Sequence, residues 1–575
     1  MHNNKFNPNR KIIDWIKTCP NATITNNKNF KEMLAYSDSS LWWYVQLPIY
    51  YRIKNSHHYP QEMQKQINPI CFCLLKKIKK LSLLITKVLG FTNVLIKTLI
   101  RYFYSLPSTT INRLKSNKVD SPTILIVGTS SAWRDIKPMK YNGKDKRDEF
   151  LGDITQYLGK KNVRVVALEV EDTRHLFGLK SLLEKKQQEG TLWKAAEAYL
   201  NIDIIRVVIN HWINFKKNWA LIRNNRHFQK VTSLKGITLQ KIAGDIFEKF
   251  FGYNSLKAML QIELIKRAIS IEKASLVLTY CNYCSFGRSA IIAAREKRIP
   301  SLCLEFGLIS PYNLEHMYNQ NEISYKGGAN YYPLPDMLCV SGHSCFNYLT
   351  KVSSIPSNKV AITGQPRYDI INRLDTKNIE NKIFERYNLN PDKKLILITT
   401  QPEGIEIKTG HRYKFIQAIL KALHEFSDVQ AIIKPHPREE DAESFYQNII
   451  SKYNNGHIKV SSKKYNTYSL LATCNLLITS SSTTALEAIL LQKPVIILNL
   501  SKFPDPIPYT ESGAAIKVEK EKSLAPAIHR ALFNDKVKSE MAKSRQKFIS
   551  YHAYQDGEAS KRVANLAIKM IEDSI

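Results

Sequence analysis

The sequence predicts an α/β protein: two doubly wound domains, each on a parallel sheet, behind a mainly helical N-terminal region. Three observations carry this. A chain of 575 residues with 44% hydrophobic side chains is too long for one core, so two or three domains are expected. From residue 120 onward, short apolar runs rich in Val, Ile and Leu alternate with helix-patterned stretches. The runs are apolar nearly throughout and end in Gly, Ser, Thr or Pro, the texture of strands buried on both faces.

TILIVG (123–128) reads as the first strand, with the polar loop 129–135 at its carboxyl end. A helix near 148–159 and the strand VRVVALEV (163–170) follow. Residues 180–272 read as a basic, helical insertion. SLVLTY (275–280), a helix at 287–297 and PSLCLEFG (300–307) form a β-α-β unit, and DMLCVSG (336–342), a helix and KVAITG (359–364) the next. A second alternating set begins after Gln365 with KLILITT (394–400), helix 411–426 and VQAIIKPHP (429–437). HIKVSS (457–462), a helix near 466–473, NLLITS (475–480), helix 483–491, PVIILN (494–499) and a closing helix at 522–533 complete it. The boundaries are thus 1–119, 120–364 and 365–575.

The N-terminal region holds an aromatic cluster, Trp42, Trp43, Tyr44, Tyr50 and Tyr51, then a basic apolar stretch from Cys71 to Leu106. KKIKK (76–80), Lys87, Lys97 and Arg101 interrupt its apolar residues, so no uncharged run reaches the roughly 18–20 residues of a spanning helix. The pattern predicts a helix lying in a membrane interface, its basic side chains reaching anionic headgroups. The alternative is a buried helix pair with a basic outer face. A formal charge of +34, from 84 Lys and Arg against 50 Asp and Glu, suits an anionic surface or substrate. No nucleic-acid-binding module is recognisable. The start, MHNNKFNPNRK, lacks the apolar core of a signal peptide, so a cytoplasmic location is expected, peripheral on the inner face of the membrane. Cys281 and Cys284 form a CxxC with no second pair at zinc spacing and are assigned to ordinary packing.

Two segments carry chemistry. In ITSSSTTALEAILLQKPVIIL (478–498) a strand ends in Ser480, Ser481, Ser482, Thr483 and Thr484, and a helix begins. Free backbone N–H groups and hydroxyls there suit an anion, and Glu487, one turn on, can accept from ribose hydroxyls. In KPHPREE (434–440) two prolines fix the backbone around His436 at a strand end, with Lys434 and Arg438 adding charge.

The spacing of Thr484, Glu487 and Pro494 resembles the nucleotide-binding helix of GT-B glycosyltransferases, which pair two Rossmann-like domains across a cleft. His436–Pro437 followed by a Ser/Thr pair resembles bacterial sialyltransferases and capsule polysaccharide transferases, where both contact the donor phosphate. TGQPRYD (363–369), with Arg367, is similar to the G-x-P-R-x-D segment of CDP-glycerol glycerophosphotransferases. QPEG (401–404) is weakly similar to the acidic-Gly motif of sialyltransferases, which would make Glu403 the base. YQDGEASKRVANLAIKMI (554–571) resembles the superfamily's C-terminal helix. One departure stands out. Relatives carry a His-Gly pair where this chain has Glu305–Phe306–Gly307, so the base role would pass to Glu305 or Glu403, with His316 nearby but not aligned.

These resemblances imply a glycosyltransferase of surface or capsular polysaccharide assembly. The nucleotide-sugar donor, CMP- or UDP-linked, enters as substrate in the C-terminal half, and no cofactor is implied. A glycan or lipid-linked acceptor would meet the N-terminal half, where Arg134 and Arg147, with Lys144, can hold anionic groups. No Asp-x-Asp motif stands at a strand end, so a metal-independent mechanism is expected. The alternatives are a CDP-glycerol- or ribitol-type polyol-phosphate transferase, a relative of UDP-GlcNAc 2-epimerase lacking the DSGG-type turn, and a non-catalytic glycan-binding protein of the same fold.

Overall fold

The computed structural model describes residues 10–56, 92–103 and 121–574, except 22, 26–27, 93, 130–131, 136–145, 171–190, 234–237, 311–313, 325–326, 403–409, 440, 454–456, 481, 501–504 and 506. Seven strands form the first sheet: β1 (Thr123–Thr129), β2 (Arg164–Val170), β3 (Leu192–Ala195), β4 (Ala274–Tyr280), β5 (Ser301–Leu304), β6 (Met337–Val340) and β7 (Val360–Ile362). All pair in parallel, in the order β7-β6-β5-β4-β1-β2-β3. Six strands form the second: β8 (Lys394–Thr399), β9 (Val429–Lys434), β10 (Ile458–Val460), β11 (Leu476–Thr479), β12 (Val495–Leu498) and β13 (Ile516–Val518). They are also parallel, in the order β10-β9-β8-β11-β12-β13.

Side-chain alternation divides each sheet between two cores. Leu125 and Val127 of β1 face one, Ile124 and Ile126 the other. In β8, Leu395 and Leu397 face one, Ile396 and Ile398 the other. Helices cover both faces, which is why these strands read as unbroken apolar runs. The last helix, Ala559–Glu572, leaves its own half. It packs Val563, Ala564, Ala567 and Ile571 into the outer core of the first sheet, beside Ile154 and Leu158. Two doubly wound halves with a terminal helix crossing back make the GT-B arrangement expected from the sequence.

Strand order reverses once in each half, between β1 and β4 and between β8 and β11. On either side of such a point the connections run to opposite faces, leaving a crevice at the strands' carboxyl ends. The candidate site is built at these two crevices.

Several expectations need correction. Within the stretch read as helical, Leu192–Ala195 is an edge strand, too short and too interrupted by Lys194 to show a period. Trp133–Asp135 and Lys146–Asp148 form a hairpin within the expected loop region. The described N-terminal residues pack against the insertion. Trp42, Trp43 and Tyr50 are buried in one core with Phe228, Phe247 and Phe251 of the insertion. Buried Arg288 seals the join by donating to the Trp43 carbonyl. Cys281 and Cys284, expected only to pack, are joined as a disulfide in the turn after β4, where the CxxC brings their Cα atoms to 5.5 Å.

The membrane stretch is corrected in part. Residues 71–91 and 104–106, with KKIKK and Lys87, lie outside the described residues. In helical residues 94–103 the basic side chains point inward. Arg101 is wholly buried, 2.9 Å from Glu197 and 3.6 Å from Glu169, and Lys97 is buried too. Two interior carboxylates demand a cation, and that demand outweighs headgroup contact. The outer face is apolar instead: Leu95, Ile96, Leu99, Ile100 and Phe103 are exposed. No described helix is long and apolar enough to cross a membrane.

Candidate functional site

The second half presents hydroxyls and an imidazole at its strand-order reversal. β8 ends in Thr399 and is followed by Thr400. Thr399 shares a 2.9 Å hydroxyl–hydroxyl bond with Thr484 across the reversal, and Thr479 donates to the Thr399 carbonyl at 3.2 Å. Thr484 opens the helix Thr484–Leu490, and its N–H donates to the Ser482 hydroxyl at 3.2 Å. Thr483 is the cap residue and makes no side-chain cap bond.

β9 runs into Pro435–His436–Pro437. The His436 N–H donates to the Thr400 hydroxyl at 3.1 Å, and the Arg438 N–H donates to His436 Nδ1 at 3.1 Å. Nδ1 is therefore an acceptor, and the ring proton resides on Nε2. Burial, then Arg438 and Lys434, hold the imidazole down at about 4, so at neutral pH the ring is an uncharged Nε2–H donor. Lys434 is buried and donates to the carbonyls of Pro435 (3.1 Å) and Lys463 (2.8 Å). Its charge stabilises the loop from behind, and burial lowers its ammonium to about 8. Arg438 is exposed beside the ring. Beneath them Glu439 accepts from Thr400 (2.6 Å) and Tyr446 (2.7 Å) and pairs with Arg412 at 3.3 Å.

Arg367 joins the halves. Its guanidinium lies 2.6 Å from Glu487 of the second half and 3.0 Å from Glu149 of the first. Tyr468 also donates to Glu487, at 3.4 Å. Burial pushes the Glu487 carboxyl up, and Arg367 offsets this only in part. Two of the residues assigned to the nucleotide from sequence, Arg367 and Glu487, are thus each other's partners. Two residues on, Asp369 accepts the N–H groups of Ala559 (3.1 Å) and Ser560 (2.8 Å) and caps the crossing helix.

In the first half, the Thr129 N–H donates to the Tyr280 hydroxyl at 3.3 Å, spanning the reversal between β1 and β4. Phe150 stacks on Tyr280 at 4.8 Å and on Phe306 at 5.0 Å. Phe306 is 41% exposed, whereas Glu305 beside it is buried. The Glu305 carboxyl accepts from the Ser341 N–H and hydroxyl, both at 3.3 Å, and lies 3.6 Å from Cys345 Sγ. Burial raises it to about 8. His316 is buried as well, pushed down to about 4 by burial, its ring edge-on to Tyr283. Arg147 is buried and paired with Asp153 at 2.6 Å, and Arg373 reaches the same carboxylate at 3.2 Å.

The structure therefore places Arg367 and Glu487 at the junction of the halves, and His436, Ser482, Thr483 and Thr484 beyond strand ends of the second half. Lys434, Glu305 and Arg147 have their polar groups engaged inside the fold. Glu403, Ser481 and the Arg134 side chain lie outside the described residues. Sequence reasoning missed Thr399, Thr400, Glu439 and Glu149. The first two carried the signal used for the Ser/Thr turn, hydroxyls at a strand's carboxyl end. Glu149 and Glu439 lay in charged runs with nothing to single them out.

Residues 334–567 match the family model for UDP-N-acetylglucosamine 2-epimerase. The processive diacylglycerol beta-glucosyltransferase of Bacillus licheniformis is 26% identical over 203 residues, 34% of this chain and 49% of that protein. The chain thus spans about half the length of that curated relative. UDP-GlcNAc 2-epimerase from Neisseria meningitidis, solved with UDP-GlcNAc, is similar with a TM-score of 0.48 and 16% identity, over 78% of this chain and 100% of that one. The wall teichoic acid polymerase TagF gives 0.43 and 13%, over 86% and 98%.

Glu305 generates a stability prediction. Unfolded, its carboxyl ionises near 4.5, and folded it keeps its proton to about 8. Its contribution is full below the lower value and is lost as pH rises through the upper one. Glu305→Gln is isosteric and cannot ionise. Its Tm relative to the parent should rise steadily between about pH 5 and pH 8. A Tm difference that stays constant across that window would show that the buried carboxyl is not neutral.

Proposed function

We propose that the chain is a glycosyltransferase that binds a nucleotide-activated sugar in its second half and passes the sugar to an acceptor on its first half. One observation carries the reading: His436 is held as a neutral Nε2–H donor between the Thr400 hydroxyl and the Arg438 N–H, one strand from the Thr399–Thr484 hydroxyl pair at the strand-order reversal. Such a set receives a phosphate without charging the ring. It stabilises the negative charge that develops on the leaving nucleotide as the glycosidic bond breaks. Glu487 sits where a ribose could share its carboxylate with Arg367. The family match over this half and the glucosyltransferase relative support a sugar nucleotide over other anions.

The acceptor hydroxyl must lose a proton. Glu305 is buried and neutral at pH 7, so Glu403 becomes the leading base, while a CMP- or UDP-linked donor and a surface glycan or lipid-linked acceptor remain part of the proposal. The second reading, an epimerase, is favoured by the family match itself. An epimerase needs no acceptor, and the enlargement of the first half by N-terminal and inserted helices favours transfer. The exposed face of residues 94–103 is proposed to meet an anionic membrane through apolar side chains.

Calorimetry and turnover with CMP-, CDP- and UDP-compounds test the central reading. His436→Ala should weaken nucleotide binding by about 1.5–3 kcal/mol. Glu403→Gln should keep binding and slow transfer by about 10²–10⁴-fold. Turnover should survive chelation of divalent ions. Interconversion of UDP-GlcNAc without an acceptor would establish the epimerase instead, and unchanged affinity in His436→Ala would remove His436 from the site. For the membrane face, Leu99→Glu with Phe103→Glu should reduce flotation with phosphatidylglycerol vesicles. Undiminished flotation would rule that face out.

A further inference from the structure

We infer that Phe306 is a stacking platform for the pyranose ring of the bound sugar nucleotide. This rests on the donor-site reading above and adds the residue that recognises the sugar.

Three rings cluster at the carboxyl edge of the first sheet, with Phe306 5.0 Å from Phe150 and 6.4 Å from Tyr280. Tyr280 is the last residue of β4, Phe150 precedes the helix Gly152–Gly159, and Phe306 lies two residues beyond β5. Phe150 is nearly parallel to both neighbours, at 18° to Tyr280 and 29° to Phe306. Tyr280 and Phe150 are buried, so they hold the Phe306 ring in place while part of it stays exposed. An exposed phenyl ring is costly in water unless something covers it. Room for a cover exists. A Cβ placed on Gly307 would meet no atom of the described residues within 4 Å.

Position selects the cover. The Arg367 guanidinium lies 5.5 Å from the Phe150 ring centre and also holds Glu487. Phe306 is thus joined through Phe150 to Arg367, and through Arg367 to Glu487, on the side of the junction away from the nucleoside. A pyranose presents C–H groups on one face and hydroxyls at its rim. Its apolar face can lie on the ring while its hydroxyls stay solvated or reach Arg367 and Glu149. A nucleotide without sugar would leave Phe306 uncovered.

The test compares bare nucleotide with sugar nucleotide: UDP against UDP-GlcNAc, and CMP against CMP-N-acetylneuraminate, by calorimetry on the full chain. Phe306→Ala should bind UDP or CMP as the parent does and bind the matching sugar nucleotide about three- to tenfold more weakly, the scale of one aromatic stack. Phe306→Trp should restore the sugar increment. Because Phe306 is an outer ring, its removal leaves the core filled, and an unchanged unfolding transition confirms this. Loss of bare-nucleotide and sugar-nucleotide affinity in equal measure, no loss of either, or no rescue by Trp would each overturn the platform while leaving the donor site standing. A parent chain that binds none of the four compounds would overturn the donor-site reading, and the platform with it.

Discussion

The junction of the halves depends on the segment Gly364–Asp369, in which four residues each have one task. Gly364 has φ 75°, and a side chain there would run into the Tyr554 carbonyl at 2.5 Å, so only glycine fits between the segment and the returning chain. Gln365 donates to the Glu305 carbonyl at 2.5 Å. Arg367 spans Glu149 and Glu487, and Asp369 caps the helix that crosses back. Removing the guanidinium would leave two largely buried carboxylates facing each other, an arrangement far costlier than the pair is stabilising. The segment similar in sequence to the G-x-P-R-x-D motif is thus first a mechanical joint.

That joint gives the two strand-order reversals a shared purpose. Each sheet opens a crevice where its connections diverge, and side-chain hydrogen bonds span each crevice: Thr129 to Tyr280 in the first half, Thr399 to Thr484 in the second. One lining is aromatic, the other hydroxylic. The difference suits a ligand with a sugar at one end and a phosphate at the other. The charge follows the same division, with a neutral imidazole and hydroxyls around the proposed anion site and the arginine held at the border.

Most of the architecture was legible because parallel strands buried on both faces leave apolar runs that little else in the sequence imitates. TILIVG, KLILITT and PVIILN all became strands. Leu192–Ala195 and Ile516–Val518 escaped because edge strands are short and carry lysines. The place of His436 just beyond a strand end was legible because prolines flank it. The inward turn of Arg101 was not, since its partners Glu169 and Glu197 stand far along the chain and only folding brings them together. Likewise, nothing in Glu305–Phe306 says that the acid turns in and the ring turns out.

The most direct measurement is a crystal structure of the chain soaked with UDP or CMP. The account predicts a phosphate oxygen within hydrogen-bond distance of His436 Nε2 and of the Ser482–Thr484 turn, with the ribose beside Glu487 and Arg367 still bridging the halves. A nucleotide bound elsewhere, or density at this junction with His436 Nε2 facing away from it, would contradict the account.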